Sequence, residues 1–249
     1  MVTARRAADP QANRLLGLLR PSDYERLRPH LRAIPLEYRQ SLYRANEPIR
    51  FVYFIESGVG SLVNTMANGQ AAEVGTIGNE GMVGLPLLLG DDRAPTSVYV
   101  QVPGAGLRMR AALFRRELAQ SASMQTVMLR YAHAFFNKVA QSAACNHFHT
   151  IQQRCCRCLL MTHDRMRTDE FLLTQEFLAM MLGVQRTGVT TSAGALQRAG
   201  FIRYRRGNVT IIDRSELERH ACECYAVSKQ EFDRLLDRRI RPKARTGGL

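Results

Sequence analysis

The 249-residue chain predicts an α+β fold in three parts: an N-terminal antiparallel β-roll, one long helix, and a C-terminal winged helix-turn-helix. Three observations carry that prediction. Residues 51–107 alternate short β-rich runs with Gly, Asn and Pro turns; residues 111–144 contain neither proline nor glycine; and residues 173–212 read as two short helices around a glycine, followed by a hairpin. The expected boundaries are 1–110 for a sensor roll with N-terminal helices, 111–146 for a long dimerisation helix and hinge, 147–240 for the winged module, and 241–249 for a basic tail expected to be disordered.

Composition sets the outer limits. An apolar content of 45% supports a core in each of two domains. The formal net charge is +13, of which residues 150–249 carry +7 and the longer stretch 1–149 carries +6, so the C-terminal part favours a polyanion. No apolar run reaches the roughly 18 residues of a membrane span, and the basic N-terminus lacks the apolar core of a signal peptide. A cytoplasmic protein with no membrane partner is expected. Six cysteines, at 145, 155, 156, 158, 222 and 224, all fall in the C-terminal half, unlike a secreted disulfide framework, and are expected to be reduced.

At the N-terminus, Leu15, Leu16, Leu18, Leu19, Leu27 and Leu31 suit short helices packed on a sheet, interrupted by Pro21 and Pro29. FVYFIESGVGSLVN, AAEVGTIG and SVYVQVPGAGLRMR then supply strands. In the long helix Met128, Ala132, Phe135, Val139 and Ser142 recur at alternating steps of four and three, one seam of a coiled coil and the candidate contacts of a homodimer. A further helix over 152–166 places Cys155 and Cys158 on one face with Leu159, as small apolar core residues.

In the winged module Thr174 is placed to cap a first helix whose Phe177, Leu178 and Met181 are buried, and Gly183 ends it in a left-handed turn. The second helix starts at Gln185 or Arg186, buries Val189, Ala193 and Leu196, and presents Gln185, Arg186, Thr187, Thr190 and Thr191. Short polar side chains and an arginine fork suit phosphates and base edges, Arg186 being placed for a bidentate guanine contact. Gly188 and Gly194 each weaken that helix by about 1 kcal/mol relative to alanine. The following hairpin, turning at Arg206, Gly207 and Asn208, carries Arg203, Arg205 and Arg206 as a basic wing.

Roll, long helix and winged module in this order resemble the Crp/Fnr superfamily of bacterial transcription regulators. The resemblance is carried by VYFIESG at 52–58, IGNEGMVG at 77–84 and LTQEFLAMMLGVQRTGVT at 173–190. It implies a cyclic-nucleotide-binding-like roll, a homodimer paired through the long helix, and binding to double-stranded promoter DNA, with RNA polymerase as a further partner. In cyclic-AMP-binding members a glycine-glutamate pair holds the ribose and an arginine-serine pair the phosphate. Here the same place reads Gly78-Asn79-Glu80-Gly81, with Thr96-Ser97 where arginine-serine is expected, so both charged contacts are missing. The expected consequence is a regulator not controlled by cyclic AMP, since a buried phosphate without a cation costs several kcal/mol. The alternatives are a shifted cassette in which Glu80 and Arg93 bind the nucleotide, and a sensing or protein-binding module that does not use DNA.

Other chemistry finds little support in the sequence. There is no nucleophile elbow, P-loop or dinucleotide fingerprint, so no enzyme and no catalytic residue is expected. Iron–sulfur members hold their cluster mainly through cysteines near the N-terminus, and this chain has none before Cys145, so that cofactor is not expected. The cysteines lack the paired two-residue spacers of a zinc ribbon; the histidines at 133, 147, 149 and 163 invite a metal reading, but His147 and His149 follow the long helix and read as solvent or interdomain residues, so no metal is expected either. A redox switch at Cys156 or Cys224 requires exposure beside basic neighbours such as Arg154 and Arg157.

Overall fold

The computed structural model describes residues 12–166 and 168–237; the tail at 241–249 lies outside them. The Asn13 side chain caps α1 (Arg14–Leu18) by accepting from the N–H groups of Leu15 and Leu16, and α2 (Pro21–Leu27) starts on its proline, whose missing N–H costs nothing there.

The roll consists of β1 (Arg32–Leu36), β2 (Ser41–Tyr43), β3 (Phe51–Thr65), β4 (Ala71–Ile77), β5 (Met82–Val83) and β6 (Ser97–Arg110). Its sheet runs β1-β6-β3-β4, with β2 on β6 and β5 on β3, all antiparallel. The two long strands do not pair evenly. The register slips between Ile55 and Gly60, where Gly58 has a φ of +88° and an added Cβ would lie 2.6 Å from the Val102 carbonyl oxygen. Such bulges increase local twist, and here they curl the sheet onto itself.

The predicted long helix is two helices. α3 (Ala111–Ala119) ends at Gln120, and α4 (Ala122–Phe148) begins afresh because the Ser121 hydroxyl accepts the Met124 N–H at 3.1 Å. α4 runs two residues past the expected boundary, and the hinge is His149-Thr150. Thr150 with Gln153 then makes a capping box for α5 (Ile151–His163).

The winged module follows as β7 (Glu170–Leu172), α6 (Gln175–Leu182), α7 (Arg186–Arg198), β8 (Ile202–Arg205) and β9 (Asn208–Ile211), with sheet order β7-β9-β8. α8 (Arg214–His220) and α9 (Cys224–Leu235) close the described chain, and α9 returns to α4, so that Phe232, Leu235 and Leu236 join the core of the roll. A second core fills the winged module. Val59 and Val102 of the roll belong to it, so the two domains share apolar packing.

The predicted seam of α4 is corrected by its packing. Met128 and Phe135 are 0% and 5% exposed and belong to the core of the roll, Val139 packs against that core, Ala132 is half-buried, and Ser142 accepts a hydrogen bond from Arg157. The face left open lies one residue further round, with Leu129 and Phe136 at 54% and 69% exposure and Ala140 and Ala143 exposed beyond them. The predicted four-three seam falls on the face that the roll covers and is one residue out of phase with the face left open. No helix among the described residues is long and apolar enough to cross a membrane.

Candidate nucleic-acid interface and sensor site

The Thr174 hydroxyl accepts the Phe177 N–H at 3.4 Å and caps α6, whose Phe177, Leu178, Ala179 and Leu182 are buried. Met181, expected inside, is only half-buried, because Leu182 takes the inward position at the end of that helix. Gly183 ends it with a φ of +60°. Gln185 is the residue before α7, and Val189, Ser192, Ala193 and Leu196 are that helix's buried face. Gln185, Arg186, Thr187, Thr190 and Thr191 are all exposed, as are Arg203, Arg205 and Arg206. The wing turns tightly on Arg206-Gly207, both with positive φ of 50° and 85°, and Asn208 is already paired with Arg205. That two-residue turn is the type whose twist suits a hairpin.

Between α7 and the wing lies a groove of about 540 Å³, lined by Thr174, Arg186, Thr190, Gln197, Tyr204 and Arg206 among others. Gln197 and Tyr204 were not expected from the sequence. The Gln197 side chain accepts the Tyr204 N–H at 2.7 Å, and the Tyr204 hydroxyl donates to the Leu173 carbonyl at 2.7 Å, so these residues fix the wing's angle to the helix. The hydroxyls of Thr190 and Thr191 donate to the carbonyls of Arg186 and Thr187 one turn back. Outward they therefore offer methyl groups and acceptor lone pairs rather than free donors. Two exposed arginines, Arg186 and Arg206, line this groove, Arg203 and Arg205 are exposed on the other face of β8 from Tyr204, and the neighbouring acid, Glu176, is held in an ion pair with Arg39. An electropositive, concave surface with a helix N-terminus at one end matches a duplex backbone in charge and shape.

The sensor residues are placed differently from the expected cassette. Gly78, Asn79, Glu80 and Gly81 form the turn after β4, closed by the Gly81 N–H donating to the Gly78 carbonyl at 3.0 Å. Glu80 is buried, and its two carboxylate oxygens accept from Arg165 Nε at 3.1 and 3.0 Å, with Lys138 Nζ at 3.9 Å. Burial by itself raises a carboxyl pKa, but the Arg165 guanidinium, its hydrogen bonds and Lys138 outweigh it and hold Glu80 at about 2. Lys138 in turn donates to the carbonyl and hydroxyl of Thr76 at 2.6 and 2.7 Å.

Glycine is required here by close approach. A Cβ at Gly78 would lie 2.2 Å from Arg165 Cδ, and one at Gly81 would lie 2.6 Å from the Tyr131 ring. Arg165 comes from the segment after α5 and Tyr131 and Lys138 from α4, so side chains of the same protein lie against the turn. The shifted cassette is not assembled. Arg93 is exposed and donates to the Asn46 carbonyl at 2.6 Å, while Glu80 is committed to Arg165. Thr96 hydrogen-bonds Tyr43, and the Ser97 hydroxyl accepts the Ala45 N–H at 2.9 Å. Nothing in the local sequence marked Arg165 or Lys138 as partners of Glu80, because they arrive from 85 and 58 residues away along the chain.

The cysteines divide into two groups. Cys155, Cys156 and Cys158 are buried in the core of the winged module, and burial pushes the Cys156 thiol up to about 11. Cys224 is 1% exposed, so the exposure that a thiolate switch at Cys156 or Cys224 needed is absent. Cys222-Glu223-Cys224 joins the end of α8 to the first residue of α9 and meets Cys145 in the last turn of α4 and His149 at its C-cap.

Comparisons with known proteins agree with this layout. A family model described as the cyclic nucleotide-binding domain matches residues 34–121, and one described as the Crp-like helix-turn-helix domain matches residues 153–220. Among solved structures, FixK2 from Bradyrhizobium japonicum superposes with a TM-score of 0.66 at 11% identity, over 77% of this chain and 98% of that one. TTHB099, a CRP-family transcriptional regulator from Thermus thermophilus, gives 0.62 at 20% identity over 76% and 96%. CLP of Xanthomonas campestris, a c-di-GMP responsive global regulator, gives 0.59 at 16% over 77% and 99%. At these identities the structural likeness speaks for the fold. A search of curated proteins for similar sequences found no match. With a cyclic-nucleotide-binding-type roll followed by a Crp-like helix-turn-helix, each matched by its own family model, the chain belongs to the Crp/Fnr family of transcriptional regulators.

Proposed function

We propose that the protein is a homodimeric, sequence-specific DNA-binding transcription regulator whose DNA affinity is not set by cyclic AMP. The observation that carries the DNA reading is the groove between α7 and the wing, lined by Arg186 and Arg206, with Arg203 and Arg205 exposed on the wing beside it. Arg186 at the start of α7 is the base-reading residue, and the wing arginines neutralise phosphates. The partners are double-stranded operator DNA and a second copy of the chain, with RNA polymerase reached from the DNA-bound dimer.

The dimer reading rests on the open face of α4. Leu129, Phe136, Ala140 and Ala143 follow one another at steps of seven, four and three, an apolar strip that a soluble chain is expected to cover. Two copies of α7 related by a dyad match two half-sites one turn of DNA apart, which a single copy cannot. Independence from cyclic AMP is supported by three features of the sensor site: Glu80 is neutralised internally, Tyr131 lies against Gly81, and the Thr96-Ser97 pair brings no cation.

The test is fluorescence anisotropy of the full chain on its own upstream DNA across a salt series, with and without cyclic AMP. Tight binding with a steep fall in salt, unchanged by the nucleotide, is the expected result, because counterion release sets the slope. Binding that requires cyclic AMP would restore the cassette reading, and no salt-dependent binding to any DNA would favour a protein-binding module.

A further inference from the structure

The side chains of Cys145, His149, Cys222 and Cys224 place four ligand atoms within 4.8 Å of one another, three of the residues buried and His149 half-buried. Cys145 lies in the last turn of α4, and His149 is that helix's C-cap, its N–H donating to the Cys145 carbonyl. Cys222 and Cys224 come from the junction of α8 and α9. The three cysteines form a buried cluster separate from both hydrophobic cores, so they do not serve as filling for either.

The distances fit one ion. For tetrahedral zinc with bonds of about 2.3 Å to sulfur and 2.0–2.1 Å to nitrogen, ligand atoms stand about 3.8 Å apart for two sulfurs and about 3.6 Å for sulfur and nitrogen. Cys145 Sγ and Cys222 Sγ are 3.5 Å apart, and Cys224 Sγ and His149 Nδ1 are 3.6 Å apart. The surroundings suit a metal as well. His149 presents Nδ1 to the sulfur and Nε2 to the Glu223 carboxylate at 3.1 Å, the outer hydrogen bond that orients a ligating imidazole. Gln141 Nε2 donates to Cys224 Sγ at 3.0 Å and fixes the side chain's position.

We propose that Cys145, His149, Cys222 and Cys224 form a structural zinc site that ties the end of α4 to the α8–α9 junction across the hinge. Zinc binding displaces the thiol protons, leaves the ion's oxidation state unchanged and fills all four positions, so the site is a clamp without an open coordination place. A single ion rather than an iron–sulfur cluster follows from how tightly the four atoms converge. The clamp holds the DNA-binding module against the helix that carries the dimer strip, and this inference stands whether or not DNA is the partner.

The experiment is elemental analysis of the full-length protein purified under reducing conditions, with cobalt substitution as the second measurement. Zinc near one equivalent per chain is expected, together with the visible d–d bands of tetrahedral thiolate-bound cobalt after exchange. Cys222→Ser/Cys224→Ser is expected to lose the metal, whereas His149→Cys, which keeps four ligands, retains it. Since the serine variant can fail to fold, the cobalt spectrum of the wild-type chain stands as the independent readout. Metal far below one equivalent with no tetrahedral cobalt bands would overturn the proposal, as would stoichiometric iron with sulfide, or a native disulfide joining Cys145 to Cys222.

Discussion

The joint between Glu80 and Arg165 can be perturbed with a result whose size follows from the structure. Both side chains are within 10% exposure, so removing one partner strands the other's charge in the interior. Such a truncation costs about 3–5 kcal/mol, whereas replacing both partners by apolar residues is often neutral or better. An independent route gives a similar figure. The drop of the Glu80 carboxyl from 4.5 to about 2 corresponds to about 3 kcal/mol of stabilisation. The sign is set by the depressed value: the contribution is complete above the unfolded value of 4.5 and is lost as pH falls through about 2. The assay is urea unfolding at pH 7 of Glu80→Leu, Arg165→Met and the double variant, followed by circular dichroism. Each single variant is expected to lose about 3–5 kcal/mol and the double variant much less than their sum. Repeated at lower pH, the gap between wild type and Glu80→Leu should narrow. Additive losses, or single losses below about 1 kcal/mol, would refute the reasoning that this pair is a buried, mutually dependent joint.

Four further outcomes are expected. Arg186→Ala should weaken operator binding by about 1–3 kcal/mol and relax preference at one base position, while Arg205→Ala should weaken all sequences alike and lower the salt slope by about 1, both read by anisotropy. Phe136→Glu, at a position 69% exposed in the single chain, should move sedimentation toward monomer without changing the far-ultraviolet spectrum. Gly194→Ala should raise thermal stability by about 1 kcal/mol, since an added methyl meets only the flexible end of Arg198 at 3.4 Å. Glu73, pushed up to about 7 by burial against a hydrogen bond from Ser61, binds its proton more tightly in the folded state; stability should therefore fall as pH rises from 4.5 through 7, by at most about 3 kcal/mol, and Glu73→Gln should abolish that slope in urea titrations.

The elements that sequence reading recovered are those specified by neighbours along the chain. The cap at Thr174, the left-handed Gly183 and the inward Val189, Ala193 and Leu196 are all local rules, and they place the outward face of α7 without further information. The phase of α4 was not local. A four-three repeat fits two adjacent faces of that helix, and only the roll, by taking Met128 and Phe135, decides which remains open. Long-range polar partners were equally hidden: Asn79 was legible as the wrong residue for a ribose contact, yet the commitment of its neighbour Glu80 to Arg165 depends on how the chain after α5 returns to the roll. The Cys145, His149, Cys222 and Cys224 cluster left a partial signal, a four-residue Cys-His step at a helix end and a Cys-x-Cys pair, which spacers sought in pairs of two did not detect.

These joints bear on how such a regulator switches. The DNA-binding module is held to the roll by the Glu80–Arg165 pair, by Val59 and Val102 in its core, and by the Tyr38 hydroxyl 3.1 Å from Thr174 at the cap of α6. A ligand shifts the module only by its difference in affinity for the joined and released forms. If the ion pair contributes about 3 kcal/mol, a ligand that displaces Arg165 needs a preference on the order of 10²-fold to break even. An anion entering at Glu80 meets a carboxylate and gains nothing from it, so it must draw Arg165 or Lys138 away. A cationic group could instead replace Arg165 on the carboxylate, as one charge-assisted partner for another. The charge of the turn thus inverts the preference of a phosphate-receiving site: in place of an arginine that receives a phosphate, an acid receives an arginine, and any small molecule acting here competes with a side chain of the same protein.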